Sequence, residues 1–414
     1  MTNFPIQSAT ACRLKWGWST VFLSKPSTAS CHRVNQDKLN LDNISNFHNL
    51  PRKIADRQAM LQGQWPGGGC EYCKRIEDAG GFSDRQLHLT DHFNNLTPAE
   101  LFDNPNAVEV VPTVLEIYFN NTCNLKCLYC GPWFSSKWES EIAKFGEARP
   151  GKQWKHEHNP DYDQMVAKLW TWMETNYKSL RAFHILGGEP FMQTELDDCI
   201  DFFDQHPNPL MSFVIITNLT ISDAMLDRYI AKFQKLVGQK KIARLQISAS
   251  LDCWGPQQEY VRSGLNLAQW KRNFEKLLQL RWVNLHINHA LSGLTIKTLP
   301  DLLDHMNEWS KVRPIFSSFM TVQDPAFMNP SIFGPNVFTD DFAIINSKMP
   351  DYSEHHKKFK EHMFGIGKEI EAAKPNIPLI LDLKAYLETL DARRNTDYKL
   401  LFPWLKDIFD QYET

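Results

Sequence analysis

Three cysteines share one short stretch, Cys123-Asn124-Leu125-Lys126-Cys127-Leu128-Tyr129-Cys130, in a C-x3-C-x2-C spacing. Thiolates this close together in a loop can wrap one compact object, and a cubane iron–sulfur cluster is such an object. Three ligands leave one metal position open to a substrate or cofactor, much as a catalytic zinc keeps a vacant coordination position. A structural zinc loop that borrows a fourth ligand from elsewhere is the other chemistry the spacing allows, although zinc sites usually pair C-x2-C units.

A second set lies upstream: Cys12, Cys31 and the C-x2-C pair Cys70 and Cys73. Four thiolates suit a closed site, either Zn(Cys)4 or an auxiliary [4Fe–4S] cluster. His32, beside Cys31, is either a substitute ligand or a neighbouring surface histidine. Cys199 falls in a helix-like segment and reads as a small buried hydrophobe. Cys253 follows a strand end, where a thiol is either structural or placed to give a hydrogen atom.

The bulk numbers bound what these residues can serve. At 414 residues the chain can bury a large core in two or three domains. A hydrophobic share of 43% and a charged share of 22% describe a globular protein, and a net charge of −3 offers no nucleic-acid or membrane surface. The 13 Trp fit aromatic-lined pockets or plain core. Residues 1–13 hold no apolar run of signal-peptide length, and no stretch of ~18 apolar residues predicts a transmembrane helix. The expectation is a cytoplasmic protein, and in a reducing compartment nine cysteines point to metal rather than disulfides.

Elements must position these groups. From about residue 112, apolar runs predict buried strands at Val114–Phe119, Ala182–Leu186, Phe213–Ile216, Ala243–Leu251, Val283–Leu291 and Phe316–Val322, with helices between them at 162–178, 193–205, 222–236, 266–280 and 297–309. Repeated β-then-α units imply a parallel sheet with right-handed crossovers. Six units are too few for an eight-stranded barrel, so the fold class is α/β, an open or partial barrel with its chemistry at the C-terminal strand ends. Residues 1–105 read as irregular, with turns such as Pro66-Gly67-Gly68-Gly69, and as a metal-stapled module. The tail predicts an amphipathic helix near 355–373 and a terminal helix near 396–411. The domains expected are 1–105, 106–335 and a mostly helical 336–414.

Polar groups recur at the predicted strand ends. The second strand runs into Gly187-Gly188-Glu189-Pro190, where glycines admit a ligand to the backbone and an acid can receive an ammonium. The third ends in Thr217-Asn218 and the fourth in Ser248-Ala249-Ser250-Leu251-Asp252. Arg262 carries a guanidinium fork suited to a carboxylate, or is a surface arginine.

With these motifs, residues 112–325 resemble the radical S-adenosylmethionine (SAM) superfamily, whose hallmark is a C-x3-C-x2-C loop after the first strand. The resemblance implies a partial (β/α)6 barrel and a [4Fe–4S] cluster on Cys123, Cys127 and Cys130 whose open iron chelates the methionine part of SAM. It further implies electron transfer from an external low-potential donor such as flavodoxin or ferredoxin, and a 5′-deoxyadenosyl radical that abstracts hydrogen from the substrate. The backbone at Tyr129 would touch adenine, and Gly187, Gly188 and Glu189 would receive the methionine amino group. Thr217, Asn218, Ser248, Ser250 and Asp252 would meet ribose or carboxylate, Arg262 the SAM carboxylate, and Asn288 and Val322 ribose and adenine. Cys12, Cys31, Cys70 and Cys73 resemble the twitch or half-SPASM modules that carry one auxiliary cluster, although those modules follow the barrel and this set precedes it. Cys253 would be the catalytic hydrogen donor of a peptide epimerase. Two substrate classes follow: a ribosomal peptide, for epimerisation or crosslinking, and a small alcohol or sugar, for oxidation. Outside enzymes, a non-catalytic iron–sulfur or zinc scaffold would explain neither the open ligand position nor the GGEP strand end.

Overall fold

The computed structural model describes residues 8–78, 80, 83–86, 107–153 and 158–412. Among them the strands are β1 (Trp18–Phe22), β2 (Ser27–Ala29), β3 (Asp37–Lys38), β4 (Val114–Tyr118), β5 (Lys126–Cys127), β6 (Ala182–Leu186), β7 (Asn208–Thr217), β8 (Ile242–Ser250), β9 (Arg262–Ser263), β10 (Val283–Leu291) and β11 (Phe316–Thr321). The helices that matter below are α1 (Arg13–Gly17), α2 (Pro51–Leu61), α3 (Glu71–Asp78), α4 (Ser136–Phe145), α5 (Glu195–Gln205), α6 (Glu354–Ala372), α7 (Ile377–Arg394), α8 (Tyr398–Leu401) and α9 (Leu405–Tyr412).

The chain forms two compact units that interleave in sequence. The first comprises Met1–Asn120, Glu157–Ile215 and Ile230–Leu245; the second comprises Asn121–His156, Ile216–Tyr229 and Gln246–Thr414. In the first unit the strand order is β3-β2-β1-β4-β6-β7, with β1, β4, β6 and β7 mutually parallel and β2 and β3 an antiparallel edge. In the second the order is β8-β10-β11, with β10 and β11 parallel. The fold is mixed α/β with a mostly parallel sheet, as expected for a partial radical SAM barrel.

All six strands expected from residue 112 onward are present. β7 starts at Asn208, ahead of its predicted run at Phe213, and the start of its pattern is broken by the exposed Pro209 and Leu210. The N-terminal region is less irregular than its turn formers suggest: β1 pairs along its whole length with β4, and α2 holds 11 residues. Its apolar pattern is hidden because polar residues fill its interior. Lys53 and Arg57 of α2 are buried, and the Lys53 ammonium donates to Ser19 Oγ at 3.2 Å and Thr28 Oγ1 at 2.8 Å. In the tail, α6 matches its predicted span, whereas the terminal helix is two short ones, α8 and α9, separated at Phe402-Pro403. α7 was not expected; it has apolar residues on both its buried side (Leu383, Leu387) and its exposed side (Ile377, Leu381), which erases the one-sided stripe. Among the described residues, no helix is long and apolar enough to cross a membrane.

Candidate functional site

The cysteine loop follows β4 in the chain and belongs to the second unit. Its centre, β5, pairs antiparallel with β9, so Cys127 stands opposite Arg262. Loop carbonyls lack the partners of a regular ladder, and here side chains supply most of them. The Leu125 carbonyl accepts from Ser135 Oγ (2.6 Å), Lys126 from Arg394 Nη1 (3.3 Å), Cys127 from Trp138 Nε1 (2.8 Å) and Leu128 from the Tyr386 hydroxyl (2.7 Å). Arg149 Nη2 donates to the Cys130 carbonyl. Ser135 also caps α4 by accepting from the Trp138 N–H, so one residue starts the helix and fixes the loop. Five restrained carbonyls leave the three sulfurs in a defined arrangement.

Cys123 Sγ accepts from the Leu125 N–H at 3.4 Å and from Asn218 Nδ2 at 3.8 Å. Asn218 holds the loop a second time, donating to Asn124 Oδ1 at 2.8 Å. Burial pushes the Cys127 thiol up to about 12, with the Arg262 guanidinium pulling the other way. Burial likewise raises Cys130, against its contact with the Gly131 backbone and the charges of Arg149 and Arg262. Groups of this kind release protons when they take up metal.

Behind the loop lies a closed polar set. The buried Asp252 carboxylate accepts from Arg262 Nε and Nη2, both at 2.8 Å, from the Ala290 N–H at 2.8 Å and from the Tyr129 hydroxyl at 2.6 Å. Burial pulls the Arg262 guanidinium down, but Asp252 more than compensates and holds it well above its ordinary value. The guanidinium also lies 5.5 Å from the centre of the Tyr129 ring. Asp252, Arg262 and the Tyr129 side chain are thus one another's partners, with Arg262 Nη1 left over. The next residue, Cys253, is fully buried, and its Sγ donates to Gln258 Oε1 at 3.5 Å. Burial raises this thiol far above its ordinary value.

The other expected residues of the second unit lie on strand ends. Thr217 Oγ1 accepts from the Leu219 N–H at 2.8 Å. Ser248 Oγ lies 3.1 Å from His286 Nδ1, and Asn288 Oδ1 accepts from Ser318 Oγ at 2.7 Å. Ser250 is half-buried at the end of β8, and Val322 is buried just past β11.

The GGEP turn belongs to the first unit. Gly187 has φ +85°, and a Cβ there would lie 2.4 Å from Cδ1 of Tyr118; Gly188 has φ +61°. Glu189 is buried, and its Oε1 accepts from the Phe191 N–H at 3.2 Å.

The four upstream cysteines are also in this unit, all of them buried free thiols. Cys12, Cys31 and Cys70 pack in one cluster with Leu14, Trp16 and Met60. Burial pushes Cys12 up to about 11 and Cys31 to about 12, and Cys31 is raised further by Cys12 and by Cys73, which brings the fourth thiol within electrostatic reach. Gly69 makes this possible: with φ +121°, its missing Cβ would sit 2.2 Å from the Arg33 carbonyl, so only glycine lets the 68–70 turn close on the chain after Cys31. Lys15, one turn past Cys12, pairs with buried Asp56 beside the set. His32 is exposed and faces Asp84 at 3.4 Å. Cys199 is buried in α5, as its helical pattern predicts.

Among the described residues, no three His, Cys, Asp or Glu side chains are arranged to grip a single metal ion. A cubane is larger than one ion and spreads its ligands further apart. The residues present fit such a group: Cys127 feels the charge of Cys130, the upstream thiols feel one another's, and Cys123 has N–H donors on its sulfur. Sequence reading missed Arg149, which returns from just past α4, and Tyr386 and Arg394, which reach the loop from more than 250 residues along the chain; none carries a local signal. Ser135 did have one, as a serine three residues before the first buried residue of a helix.

Residues 117–306 match the family model described as the Radical SAM superfamily. The chain therefore carries a radical SAM domain over that stretch, with the [4Fe–4S] cluster and SAM that such a domain implies. It is 24% identical over 184 residues to the probable GTP 3′,8-cyclase of one Methanococcus maripaludis strain, which is 44% of this chain and 51% of that protein. It is 22% identical over 213 residues to the probable GTP 3′,8-cyclase of Methanococcus aeolicus, 51% of this chain and 60% of that protein. The chain spans only about half the length of the first of these relatives. Among solved structures, Streptococcus suis SuiB bound to its precursor peptide SuiA shares 16% identity at a TM-score of 0.36, over 70% of this chain and 58% of that one. A structure of anSMEcpe with bound AdoMet and a peptide shares 16% identity at a TM-score of 0.35, over 56% of this chain and 57% of that one.

Proposed function

We propose that the protein is a radical SAM enzyme that modifies a ribosomal peptide, by epimerisation or crosslinking. The observation that carries the radical chemistry is the loop of three free thiols, Cys123 and Cys127 buried and Cys130 half-buried, with its carbonyls held by side chains and its first sulfur hydrogen-bonded by Asn218. Cys123, Cys127 and Cys130 would hold the cluster. Gly187, Gly188 and Glu189 would receive the methionine end of SAM, the glycines by admitting the ligand to the backbone. Ser248, Ser250, Asn288 and Val322 would line the nucleoside side, and Thr217 would support that strand end. Once bound, the cluster and SAM together supply a 5′-deoxyadenosyl radical that takes a hydrogen atom from the substrate.

Cys253 would return a hydrogen atom to the substrate radical. A hydrogen-atom donor must be a thiol rather than a thiolate, and burial with the Sγ on Gln258 Oε1 supports the protonated form. The convergence of Cys12, Cys31, Cys70 and Cys73 supports a second, auxiliary [4Fe–4S] cluster in an N-terminal module of residues 1–105, ahead of a core at 106–335 and a helical extension at 336–414. Four protein ligands would close that cluster to direct substrate ligation. An external flavodoxin or ferredoxin would supply the electron.

The test is anaerobic purification with iron and sulfide counting, followed by SAM turnover under a strong reductant. About eight irons per chain are expected for two cubanes, with 5′-deoxyadenosine formed by the wild type and lost in Cys123→Ala. A chain without iron would overturn the reading. For the peptide step, turnover of a candidate precursor peptide in D2O places deuterium at a Cα, and Cys253→Ala removes it. Product without solvent deuterium excludes a thiol donor.

A further inference from the structure

Parallel strands flanked by crossover helices are ordinarily apolar along their length. One row in the first unit breaks that rule. The register sets Thr20 of β1 beside Glu116 of β4, and Glu116 beside His184 of β6, so the three side chains form one cross-strand line on the same face. The rows before and after it on that face carry Trp18, and then Phe22 with Tyr118. Phe22 and Tyr118 stack at 4.5 Å, and the Trp18 ring meets His184 edge-on at 5.0 Å.

Among the described residues the carboxylate in this row has a single hydrogen-bond donor. Thr20 Oγ1 donates to Glu116 Oε1 at 2.8 Å. Oε2 faces His184 Nδ1 at 3.7 Å, beyond hydrogen-bond reach, and accepts no hydrogen bond from the described residues. Glu116 is 15% exposed, so its carboxylate is largely withdrawn from water yet reachable. A carboxylate in that setting calls for a charged donor. Aromatic rings stand in the rows on both sides, and such rings attract cations.

We infer that Glu116, with Trp18, Phe22 and Tyr118 around it, is a binding site for an organic cation, the primary ammonium or guanidinium group of a substrate. This deepens the peptide reading above, on which its biological meaning rests: the group recognised is a Lys or Arg side chain, or the amino terminus, of the peptide. Thr20 orients the carboxylate, and His184 closes one side of the site.

The probe is agmatine, which carries both cationic groups, titrated calorimetrically into the anaerobic holoenzyme. Wild type binds agmatine, and Glu116→Gln weakens that binding at least about tenfold, the scale of a lost charge-assisted hydrogen bond. Gln keeps the size of the side chain and an oxygen for Thr20. Glu116→Asp keeps the charge and retains more affinity than Glu116→Gln; equal loss in both variants points to packing and overturns the proposal. So does a wild type that does not bind agmatine, or a Glu116→Gln variant that binds it as tightly. Because SAM is itself an organic cation, the titration is repeated with saturating SAM: retained agmatine binding supports a separate site, and displacement overturns it. Uncoupled 5′-deoxyadenosine formation is read on the same wild-type preparation. Cleavage without agmatine binding sinks this inference and leaves the radical SAM reading standing, whereas binding without cleavage does the reverse.

Discussion

Asp252→Asn isolates the closed polar set behind the cysteine loop. The wild-type carboxylate takes four hydrogen bonds, two of them from the Arg262 guanidinium, and both side chains are buried. Asparagine keeps the shape but fails twice. It removes the negative charge facing a buried guanidinium, and its amide nitrogen, in either flip, points at an Arg262 N–H that is itself a donor. Breaking one side of a buried ion pair costs about 3–5 kcal/mol, and the donor clash puts this variant in the upper part of that range. Since Arg262 stands opposite Cys127 in the β5–β9 ladder, the damage should reach the cluster loop as lost iron.

The assay is urea unfolding of Asp252→Asn, Arg262→Met and the double variant, with iron content measured on each. The double variant has no unpaired guanidinium, so it should be more stable than the two single losses predict, with a coupling energy of about 2–3 kcal/mol. A loss below about 1 kcal/mol in Asp252→Asn, the level of a surface pair, would refute the reasoning. Strict additivity in the cycle would refute it as well, because it would mean that the two groups do not depend on each other.

Three further outcomes follow from single contacts. Asn218→Ala removes the Nδ2 donor on Cys123 Sγ and the tie to Asn124, and should make iron about tenfold easier to strip with a chelator, read as the rate of loss of cluster absorbance. Gly187→Ala drives a Cβ into the Tyr118 ring at a positive φ, a strain of about 1–3 kcal/mol, and should abolish SAM binding measured by equilibrium dialysis. Lys53 is buried in α2, and burial, opposed by Asp37 but reinforced by the charges of Arg57, Lys15 and Arg52, pulls its ammonium well below the ordinary lysine value. Its folded-state value lies under its unfolded one, so the stability it contributes is fully present above the unfolded value and is lost as pH falls through the folded value. Lys53→Met should therefore flatten the dependence of the urea midpoint on pH between the depressed folded value and the ordinary lysine value, and an unchanged slope there would count against a depressed Lys53.

The strands from residue 114 onward were legible because each is an apolar run between turn formers, and apolar burial is what a hydropathy reading detects. β1 and α2 were not, because their interior is built from Ser19, Thr28, Lys53 and Arg57, residues that look solvated until their partners are known. The same asymmetry runs through the site. Spacing alone marked Cys123, Cys127 and Cys130, since ligands to one compact cluster must be close in a loop. The family resemblance proposed Arg262 and Asp252 as ligand contacts, and the structure pairs the two with each other.

That difference has a physical basis. A cluster-binding loop has no regular backbone hydrogen bonds of its own beyond β5, so something else must hold its carbonyls in place. Arg394 and Tyr386 do this from α7, more than 250 residues along the chain, at separations where no local pattern constrains either partner. Asn218, just past β7, ties the loop through side chains instead, one amide serving both Asn124 Oδ1 and the sulfur of Cys123. Ligand identity is thus a local property of the sequence, whereas ligand geometry is held by long-range side-chain to backbone bonds. Substitutions at Arg394 or Tyr386 should therefore disturb the cluster more than their distance from the cysteines in sequence suggests. Losing one buried donor leaves a buried carbonyl unsatisfied, at a cost of about 1–3 kcal/mol concentrated at the loop.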